Sequence, residues 1–331
     1  MKFDVFSGRG PVPESREPYR RPPDLRTALR DPAGYRAGED LARAVNVALA
    51  LGLPLLVTGE PGTGKTQLAY RVAHELGLPP PWRFDTQSSS QADDLFYRFD
   101  RVRQFARSQL HALQHKEPPH PREFIAFQAL GQAILRTLPL EQVGHLFEPG
   151  QPWDGPRQSV VLIDEIDKAP RDFPNDLLAR IEDLSFRVPE LGGGELRADP
   201  AFAPIVVITS NSEKQLPEPF LRRCVFHHIE FPDDAREIEQ LLAGRLAALR
   251  LAGPGYDAAV DFFFRLRRAP GVQKKPSTSE LLDWLRALAA AGFDWQRDLA
   301  TQPGPTRACL GSLAKTDEDM QRARGLLDAA D

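Results

Sequence analysis

The octapeptide GEPGTGKT at positions 59–66 constrains this chain more than any other stretch. It follows the apolar run 53–57 and precedes a segment with apolar residues at helical spacing. Because Gly62 and Gly64 carry no Cβ, the backbone N–H groups of this turn can close around a phosphate at a helix N-terminus. The pattern therefore predicts a strand, a phosphate-binding loop and a helix, against the alternative of a chance glycine-rich turn.

The side chains at the end of this loop have predictable roles. Lys65 supplies a point charge for the terminal phosphates, and the hydroxyl of Thr66 is a ligand for Mg²⁺. The predicted nucleotide-binding set is Gly59, Glu60, Pro61, Gly62, Thr63, Gly64, Lys65, Thr66 and Gln67. No Asn/Thr-Lys-x-Asp string occurs that would recognise a guanine base, which disfavours a guanine-specific GTPase.

A second apolar run, VVLI at 160–163, ends in Asp164 and Glu165. This pattern is typical of a strand buried on both faces of a parallel sheet, with acids at the edge where such sheets bind ligands. We expect Asp164 to hold the water shell of Mg²⁺, and Glu165 to orient the attacking water or accept its proton. The alternative is a strand that ends in solvated acids.

Three further strands are predicted at 82–84, 205–209 and 225–231, which makes five with the two already described. The strand at 205–209 ends at Ser210 and Asn211. The amide of Asn211 is placed to hold the attacking water, although an asparagine that only caps the turn would leave the same pattern.

The 331 residues suffice for about two domains. Residues 1–36 form a Pro-rich arm, and a nucleotide-binding domain spans 37–232, with a helical insertion at about 90–140 and a hairpin at about 186–198. Residues 233–331 show helical patterns and no strand signal. Two capping boxes are predicted, Ser90 with Asp93 in the insertion and Ser277 with Glu280 in the C-terminal domain.

The insertion is locally basic between positions 98 and 122. Its cations are Arg98, Arg101, Arg103, Arg107, Lys116 and Arg122, against Asp100 and Glu117. They form either a solvated helix face or a patch that contacts a partner. One apolar helix face within the same stretch carries Val102, Phe105, Ala106, Leu110 and Leu113.

Composition limits location and partners. The formal net charge is -4, so no global basic field favours nucleic acid or an anionic membrane. Neither an apolar stretch long enough to span a bilayer nor a signal-peptide core is evident. Cys224 and Cys309 are too few for a disulfide framework. We expect a cytoplasmic protein without membrane insertion.

Together these motifs resemble the AAA+ ATPases, and the insertion and the hairpin before Asn211 resemble the MoxR-like branch. The resemblance implies an α/β fold: a P-loop NTPase αβα sandwich with a parallel five-stranded sheet, followed by a small C-terminal α-helical lid. It implies ATP and Mg²⁺ as cofactors and homo-oligomeric rings, usually hexamers. It matches Asn211 to the sensor 1 position and Arg223 to the arginine finger, with Arg222 as the second choice.

One position departs from that pattern. Where MoxR-like proteins usually carry a sensor 2 arginine, this chain has Lys274, Lys275 and then Ser279 near the expected position. Either Lys274 or Lys275 is a candidate to replace that arginine, and Lys275 is the one that we predict to contact the nucleotide. A lysine lacks the bidentate fork of arginine, so nucleotide sensing by the lid is open to question.

Three functions follow as hypotheses. The first is a chaperone-like Mg²⁺-ATPase that remodels or activates a protein partner, and the resemblance suggests a protein with a von Willebrand factor A domain. The second is an ATP-controlled scaffold or signalling switch. The third, a nucleic-acid motor, is favoured only by the basic insertion.

Overall fold

The computed structural model describes residues 31–147, 150, 152–232, 234–246 and 251–329. The chain divides into two compact units. We call the first the sheet unit, Ala37–Gly59 with Lys65–Ile229, and the second the helical unit, Met1–Arg36 with Glu60–Gly64 and Glu230–Asp331. Most of the predicted arm lies outside the described residues, and its end holds the 3₁₀ turn Pro32–Gly34.

The sheet unit contains the five predicted strands and four short additional ones. In chain order the strands are β1 (Leu55–Gly59), β2 (Trp82–Asp85), β3 (Tyr97–Phe99), β4 (Ile125–Phe127), β5 (Val160–Asp164), β6 (Ser185–Phe186), β7 (Leu196–Arg197), β8 (Ile205–Ser210) and β9 (Val225–Ile229). The main sheet has the order β2-β5-β8-β1-β9, and all its pairs are parallel. The predicted five-stranded parallel sheet is thus confirmed.

Helices flank this sheet. They are α1 (Glu39–Leu51), α2 (Lys65–Glu75), α3 (Arg101–Leu113), α4 (Ala129–Leu135), α5 (Leu140–Val143), α6 (Phe173–Asp183) and α7 (Glu218–Leu221). Every residue of β1 and β5 is buried, as expected for strands covered on both faces. The core of the unit also contains α4 and the inner face of α6.

The predicted insertion contains helices, but it also contains strands that the helical patterns did not indicate. Strands β3 and β4 pair antiparallel, with Tyr97 opposite Phe127. The predicted capping box of Ser90 with Asp93 is wrong by one position, because Gln91 and Asp94 form it and open a 3₁₀ turn. Both strands are only three residues long, which is too short for an alternating pattern to indicate them.

The predicted hairpin is present but short. Strands β6 and β7 pair antiparallel, with Ser185 opposite Arg197 and Phe186 opposite Leu196. Phe186 is buried against Phe96, with ring centroids 5.0 Å apart. The hairpin is therefore anchored to the insertion by aromatic packing.

The helical unit contains α8 (Ala235–Leu246), α9 (Pro254–Arg268), α10 (Thr278–Ala290), α11 (Pro303–Cys309) and α12 (Asp317–Asp328). The predicted capping box of Ser277 with Glu280 opens α10. Trp284 is fully buried and packs on Phe262 at 5.5 Å between ring centroids. Among the described residues, no helix has both the length and the apolar character to cross a membrane.

Candidate functional site

The parallel sheet brings the predicted catalytic segments to one edge. Thr58 near the end of β1 lies opposite Ser210 at the end of β8, and Asp85 of β2 lies opposite Asp164 of β5. Because parallel strands end at the same side, the residues that follow β1, β5 and β8 are neighbours. The predicted site residues at this edge are Gly59, Lys65, Thr66, Asp164, Glu165 and Asn211.

Lys65 and Thr66 begin α2 at this edge. Lys65 is buried, and its ammonium group donates a hydrogen bond of 2.8 Å to the carbonyl oxygen of Gly59. The Thr66 hydroxyl donates to the Asp164 carboxylate at 3.0 and 3.2 Å. The two predicted magnesium ligands, which are 98 residues apart in sequence, are therefore in direct contact.

Asp164 is buried and has two further partners. The hydroxyl of Thr209 donates to it at 2.6 Å, and the guanidinium of Arg83 lies 2.9 Å from its second oxygen. The pKa of Arg83 is raised: partial burial opposes its charge, but the negative charges of Asp164 and Asp85 outweigh that desolvation. These groups hold the Asp164 carboxylate in one orientation.

Glu165 lies between an amide and an ammonium group. The Asn211 side-chain amide donates to Oε1 at 3.1 Å, and Lys168 forms an ion pair with Oε2. The pKa of Lys168 is raised, mainly by its hydrogen bond to Glu165, with a weaker opposing desolvation. The backbone of Glu165 is left-handed at φ 56°, and its N–H donates to the hydroxyl of Thr209 at 2.9 Å. Glu165 is thus directed by two side chains and one backbone bond.

The segment after β8 is fixed by a buried carboxylate that the sequence did not single out. Asp167 accepts the backbone N–H of Asn211 at 3.2 Å and that of Glu213 at 3.1 Å. A carboxylate with two backbone donors is a strong local anchor. It therefore fixes the backbone that presents Asn211 to Glu165.

The two candidate finger arginines follow α7 and stand apart from this network. Arg223 pairs with Glu182 at 3.0 Å, and Arg222 pairs with Glu218 one helical turn earlier. Both side chains are more than half exposed. Neither arginine contacts Asp164 or Glu165 among the described residues. These contacts therefore do not support a catalytic role of either arginine in its own subunit.

Glycines are obligatory in the middle of the phosphate-binding loop. Gly62 and Gly64 have φ of 82° and 93°, which side chains of L-residues rarely adopt. Within the helical unit, a Cβ on Gly62 would lie 2.8 Å from the side chain of Ser277. A Cβ on Gly64 would lie 3.0 Å from the ring of Tyr35. The positive φ disfavours a larger residue at both positions, and at Gly62 the contact with Ser277 opposes one as well.

The helical unit also contains a buried arginine, Arg267 of helix α9. Arg267 forms an ion pair with Glu60 and donates to the carbonyl oxygen of Pro276 at 2.9 Å. Its guanidinium lies 3.4 Å from the centroid of the Phe231 ring. A guanidinium with a carboxylate, a carbonyl and an aromatic face as partners makes a specific contact that lysine cannot reproduce.

The predicted lid lysines, Lys274 and Lys275, are exposed, unlike the buried Arg267. The buried carboxylate of Asp319 accepts the backbone N–H groups of Gln273 and Lys274 at 2.9 and 3.0 Å. The side chains of Lys274 and Lys275 are exposed, and no hydrogen bond or ion pair of theirs occurs within the described part of the chain. Nucleotide contact by Lys275 stays a prediction.

The residues present fit a magnesium nucleotide. The Thr66 hydroxyl and the Asp164 carboxylate form a set of adjacent hard oxygen donors, which Mg²⁺ prefers. Lys65, the residue before Thr66, adds a buried cation. We infer that Lys65, Thr66 and Asp164 are suited to phosphate oxygens and their metal ion.

Sequence patterns identified the local motifs of this site and missed four contributors. These are Arg83, Asp167, Lys168 and Thr209. Thr209 left one signal, a hydroxyl at the end of an otherwise apolar strand. Asp167 and Lys168 directly follow the acidic pair, whereas Arg83 gave no signal beyond the alternation of its strand.

The site residues from Gly59 to Arg223 lie within the range of one family model. The family model described as the AAA domain (dynein-related subfamily) matches residues 54–224, just over half of the chain. No curated protein matches the chain. A variant of Thermotoga maritima RuvB is similar in structure at a TM-score of 0.44 and 16% identity, covering 85% of this chain and 70% of that one.

A second solved structure is the RuvB Holliday junction branch migration motor of Thermotoga maritima, at a TM-score of 0.42 and 18% identity. It covers 85% of this chain and 70% of that chain.

The fold and the site define a P-loop protein of the AAA+ class. The chain belongs to the AAA domain family of the dynein-related subfamily. Membership indicates an ATPase in general terms, and proteins of this class usually use Mg²⁺ and commonly assemble into rings.

Proposed function

We propose that this protein is a MoxR-like AAA+ ATPase that hydrolyses ATP with Mg²⁺ and uses the energy to remodel or activate a protein partner. The observation that carries the catalytic half of the proposal is the contact between Asn211 and Glu165 at 3.1 Å. A carboxylate held by an amide beside an oxygen-rich magnesium site is suited to orient water for phosphoryl transfer.

In this proposal the loop residues Gly59, Glu60, Pro61, Gly62, Thr63 and Gly64, with Lys65 and Gln67, surround the phosphates. Thr66 and Asp164 hold Mg²⁺, which when bound neutralises charge on the phosphate oxygens. Glu165 orients water or accepts its proton, and Lys168 keeps the carboxylate directed toward the same edge.

Arg223 is the proposed arginine finger, with Arg222 as the second choice. Its exposure supports action on the nucleotide of a neighbouring subunit, in a ring that we propose to be a hexamer. The salt bridge to Glu182 has both side chains more than half exposed, so the finger can leave it at little cost in free energy. Lys275, in the loop between α9 and α10, remains the proposed nucleotide contact of the helical unit.

The proposed partner is a cytoplasmic protein with a von Willebrand factor A domain, and this partner class comes from the resemblance alone. A second candidate is an ATP-controlled scaffold or signalling switch. The two differ in what a partner does to turnover. Faster hydrolysis in the presence of the partner supports remodelling, whereas partner binding that depends on ATP with unchanged turnover supports the switch.

The catalytic proposal is tested by Glu165→Gln, which keeps size and removes the carboxylate charge. We expect ATP to bind within about threefold of the wild-type affinity, and turnover to fall by about a hundredfold or more. The matched control is Glu213→Gln, the same loss of charge at an exposed neighbour whose side chain influences Lys168 through its charge but has no described contact with Glu165. Turnover of Glu165→Gln within about threefold of wild type, a barrier change under ~1 kcal/mol, would refute the assignment.

A further inference from the structure

Helix α3 is oriented against its own amphipathic pattern. An amphipathic helix on a protein surface normally buries its apolar stripe. None of the residues of α3 is buried, and Val102 and Leu113 are 82% and 80% exposed. Phe105 is 65% exposed and Leu110 is 52% exposed. The helix thus presents its apolar stripe to solvent.

Polar residues face the protein instead. Gln104, Arg107, Ser108 and His111 are the half-buried positions of the helix. Arg107 forms an ion pair with Glu123 at 2.8 Å, and the His111 ring donates a hydrogen bond of 2.7 Å to the carbonyl oxygen of Glu117. These bonds fix the rotation of α3, so the outward stripe belongs to the folded arrangement.

The start of the helix is fixed as well. Asp100 caps it by accepting the backbone N–H of Arg103 at 2.8 Å. Among the described residues, Asp100 is the acidic side chain closest in sequence to the apolar stripe, which begins at Val102. It is already engaged by the backbone.

Cations border the first turn of the stripe on both sides. At 100° per residue, Arg101 and Arg103 project on opposite sides of Val102. Both arginine side chains are exposed, and the described residues provide neither with an ion pair. An apolar stripe between two arginines is complementary to an apolar ridge bordered by carboxylates.

We propose that the exposed stripe of α3, formed by Val102, Phe105, Leu110 and Leu113, docks an acidic amphipathic helical segment of a protein partner. From Val102 to Leu113 the stripe is about 16 Å long, enough for about three turns of a partner helix. The inference rests on the proposed function only in taking this partner to be the protein on which the ATPase acts.

Two other occupants are less suited to this surface. Nucleic acid would satisfy the arginines but would leave the aliphatic stripe without apolar partners. A second copy joined by the same face would place the arginine-bordered helices of both copies against each other, which like charges oppose. Both occupants remain possible results of the test.

The probe is a fluorescent peptide of about 18 residues, with leucines on one helical face and glutamates on both borders. A second peptide carries lysines in place of the glutamates. Fluorescence anisotropy on the full chain should show saturable binding of the glutamate peptide, at least about tenfold tighter than that of the lysine peptide. Leu113→Ser and Phe105→Ser should each weaken it about tenfold or more.

Two variants make the test specific. Leu51→Ser removes an equally large exposed aliphatic side chain from the end of α1 and should leave peptide binding unchanged. Reversal of both border charges, Arg101→Glu with Arg103→Glu, should make the lysine peptide the tighter ligand. Because the substituted side chains are exposed, we expect every variant to fold as wild type does.

The proposal is overturned if the wild-type chain does not bind the glutamate peptide saturably, or if Leu113→Ser binds it as well as wild type. It is also overturned if the stripe variants abolish only self-association or only salt-steep binding of a DNA oligonucleotide. Basal ATP hydrolysis, measured on the same samples, tests the proposed ATPase function separately from the proposed docking surface. Intact peptide binding without hydrolysis contradicts only the proposed function, and intact hydrolysis without peptide binding contradicts only the docking surface.

Discussion

The Thr209 hydroxyl joins the two acidic residues of the candidate site, and Thr209→Val removes it with little change in shape. The hydroxyl donates to Asp164 at 2.6 Å and accepts the backbone N–H of Glu165 at 2.9 Å. A hydrogen bond to a charged group contributes about 1.5–3 kcal/mol, and a buried donor left without a partner costs about 1–3 kcal/mol. Because such terms are not additive, we expect the free energy of unfolding to fall by ~3 kcal/mol.

The same change should slow catalysis. The Glu165 backbone is held in the left-handed region, where a non-glycine residue is strained, and its bond to Thr209 helps to keep it there. Relaxation would displace the carboxylate, and a misplacement of about 1 Å costs about a hundredfold in rate. We expect kcat to fall by about 30- to 100-fold, with the ATP dissociation constant within about threefold.

The chain offers a matched control at Thr137, which is also buried and makes the same pair of bonds away from the site. Its hydroxyl donates to the carbonyl oxygen of Ile134 at 2.7 Å and accepts the N–H of Asp199 at 3.0 Å. Thr137→Val should lower the free energy of unfolding by ~2 kcal/mol, since both bonds are neutral, and leave kcat unchanged. Urea unfolding and steady-state ATPase assays measure both effects. If Thr209→Val loses stability as Thr137→Val does and keeps kcat within about twofold, the positioning role is refuted.

Two further predictions concern the helical unit. Arg267→Lys should lower its free energy of unfolding in urea by about 1–3 kcal/mol, less than for a fully buried pair because Glu60 is 45% exposed. Arg265→Lys on the same helix should cost under about 0.5 kcal/mol, and equal losses would contradict the specific role of Arg267. The pKa of Asp319 is lowered: burial opposes its charge, but hydrogen bonds from backbone N–H groups outweigh it. The charged Asp319 therefore stabilises the fold above its unfolded pKa of about 3.9, and this stabilisation is lost as pH falls through the lower folded pKa. Asp319→Asn should be less stable than wild type at pH 7, and the difference in the free energy of unfolding should narrow below pH ~4. A difference that does not depend on pH would contradict this linkage.

The main fold and the motif residues of the site could be predicted because their signals are local. Strands β1 and β5 are continuous apolar runs, and such runs indicate burial on both faces. Lys65, Thr66 and Asp164 sit next to those runs, so a parallel sheet brings them together without further information.

The remaining contributors depend on contacts between distant positions. Thr209 lies 45 residues beyond Asp164, and Asn211 lies 46 residues beyond Glu165. The residue types suggested a role for Asn211, but its partner followed only from the strand order. Arg267 left a weak signal, an arginine on an otherwise apolar helix face, whose meaning depended on its pairing with Glu60.

The orientation of α3 shows a different limit. Its periodicity predicts a helix with one apolar face, and the structure has that helix. Periodicity alone suggests that the apolar face is buried, yet Arg107 and His111 fix the opposite face to the protein. Which face of an amphipathic helix is buried is decided by its tertiary partners.

The central claim, hydrolysis of ATP completed by a neighbouring subunit, is tested most directly by mixing two inactive variants. Arg223→Ala keeps its phosphate-binding loop, and Lys65→Ala keeps its finger. Each alone should be inactive, because an arginine finger contributes about 10³- to 10⁵-fold in rate and Lys65 faces the phosphates. The account predicts recovery of ATPase activity in the mixture, at interfaces that pair an intact loop with an intact finger. Mixtures that co-assemble and stay inactive would contradict it, and activity of Arg223→Ala together with inactivity of Arg222→Ala would move the finger by one residue.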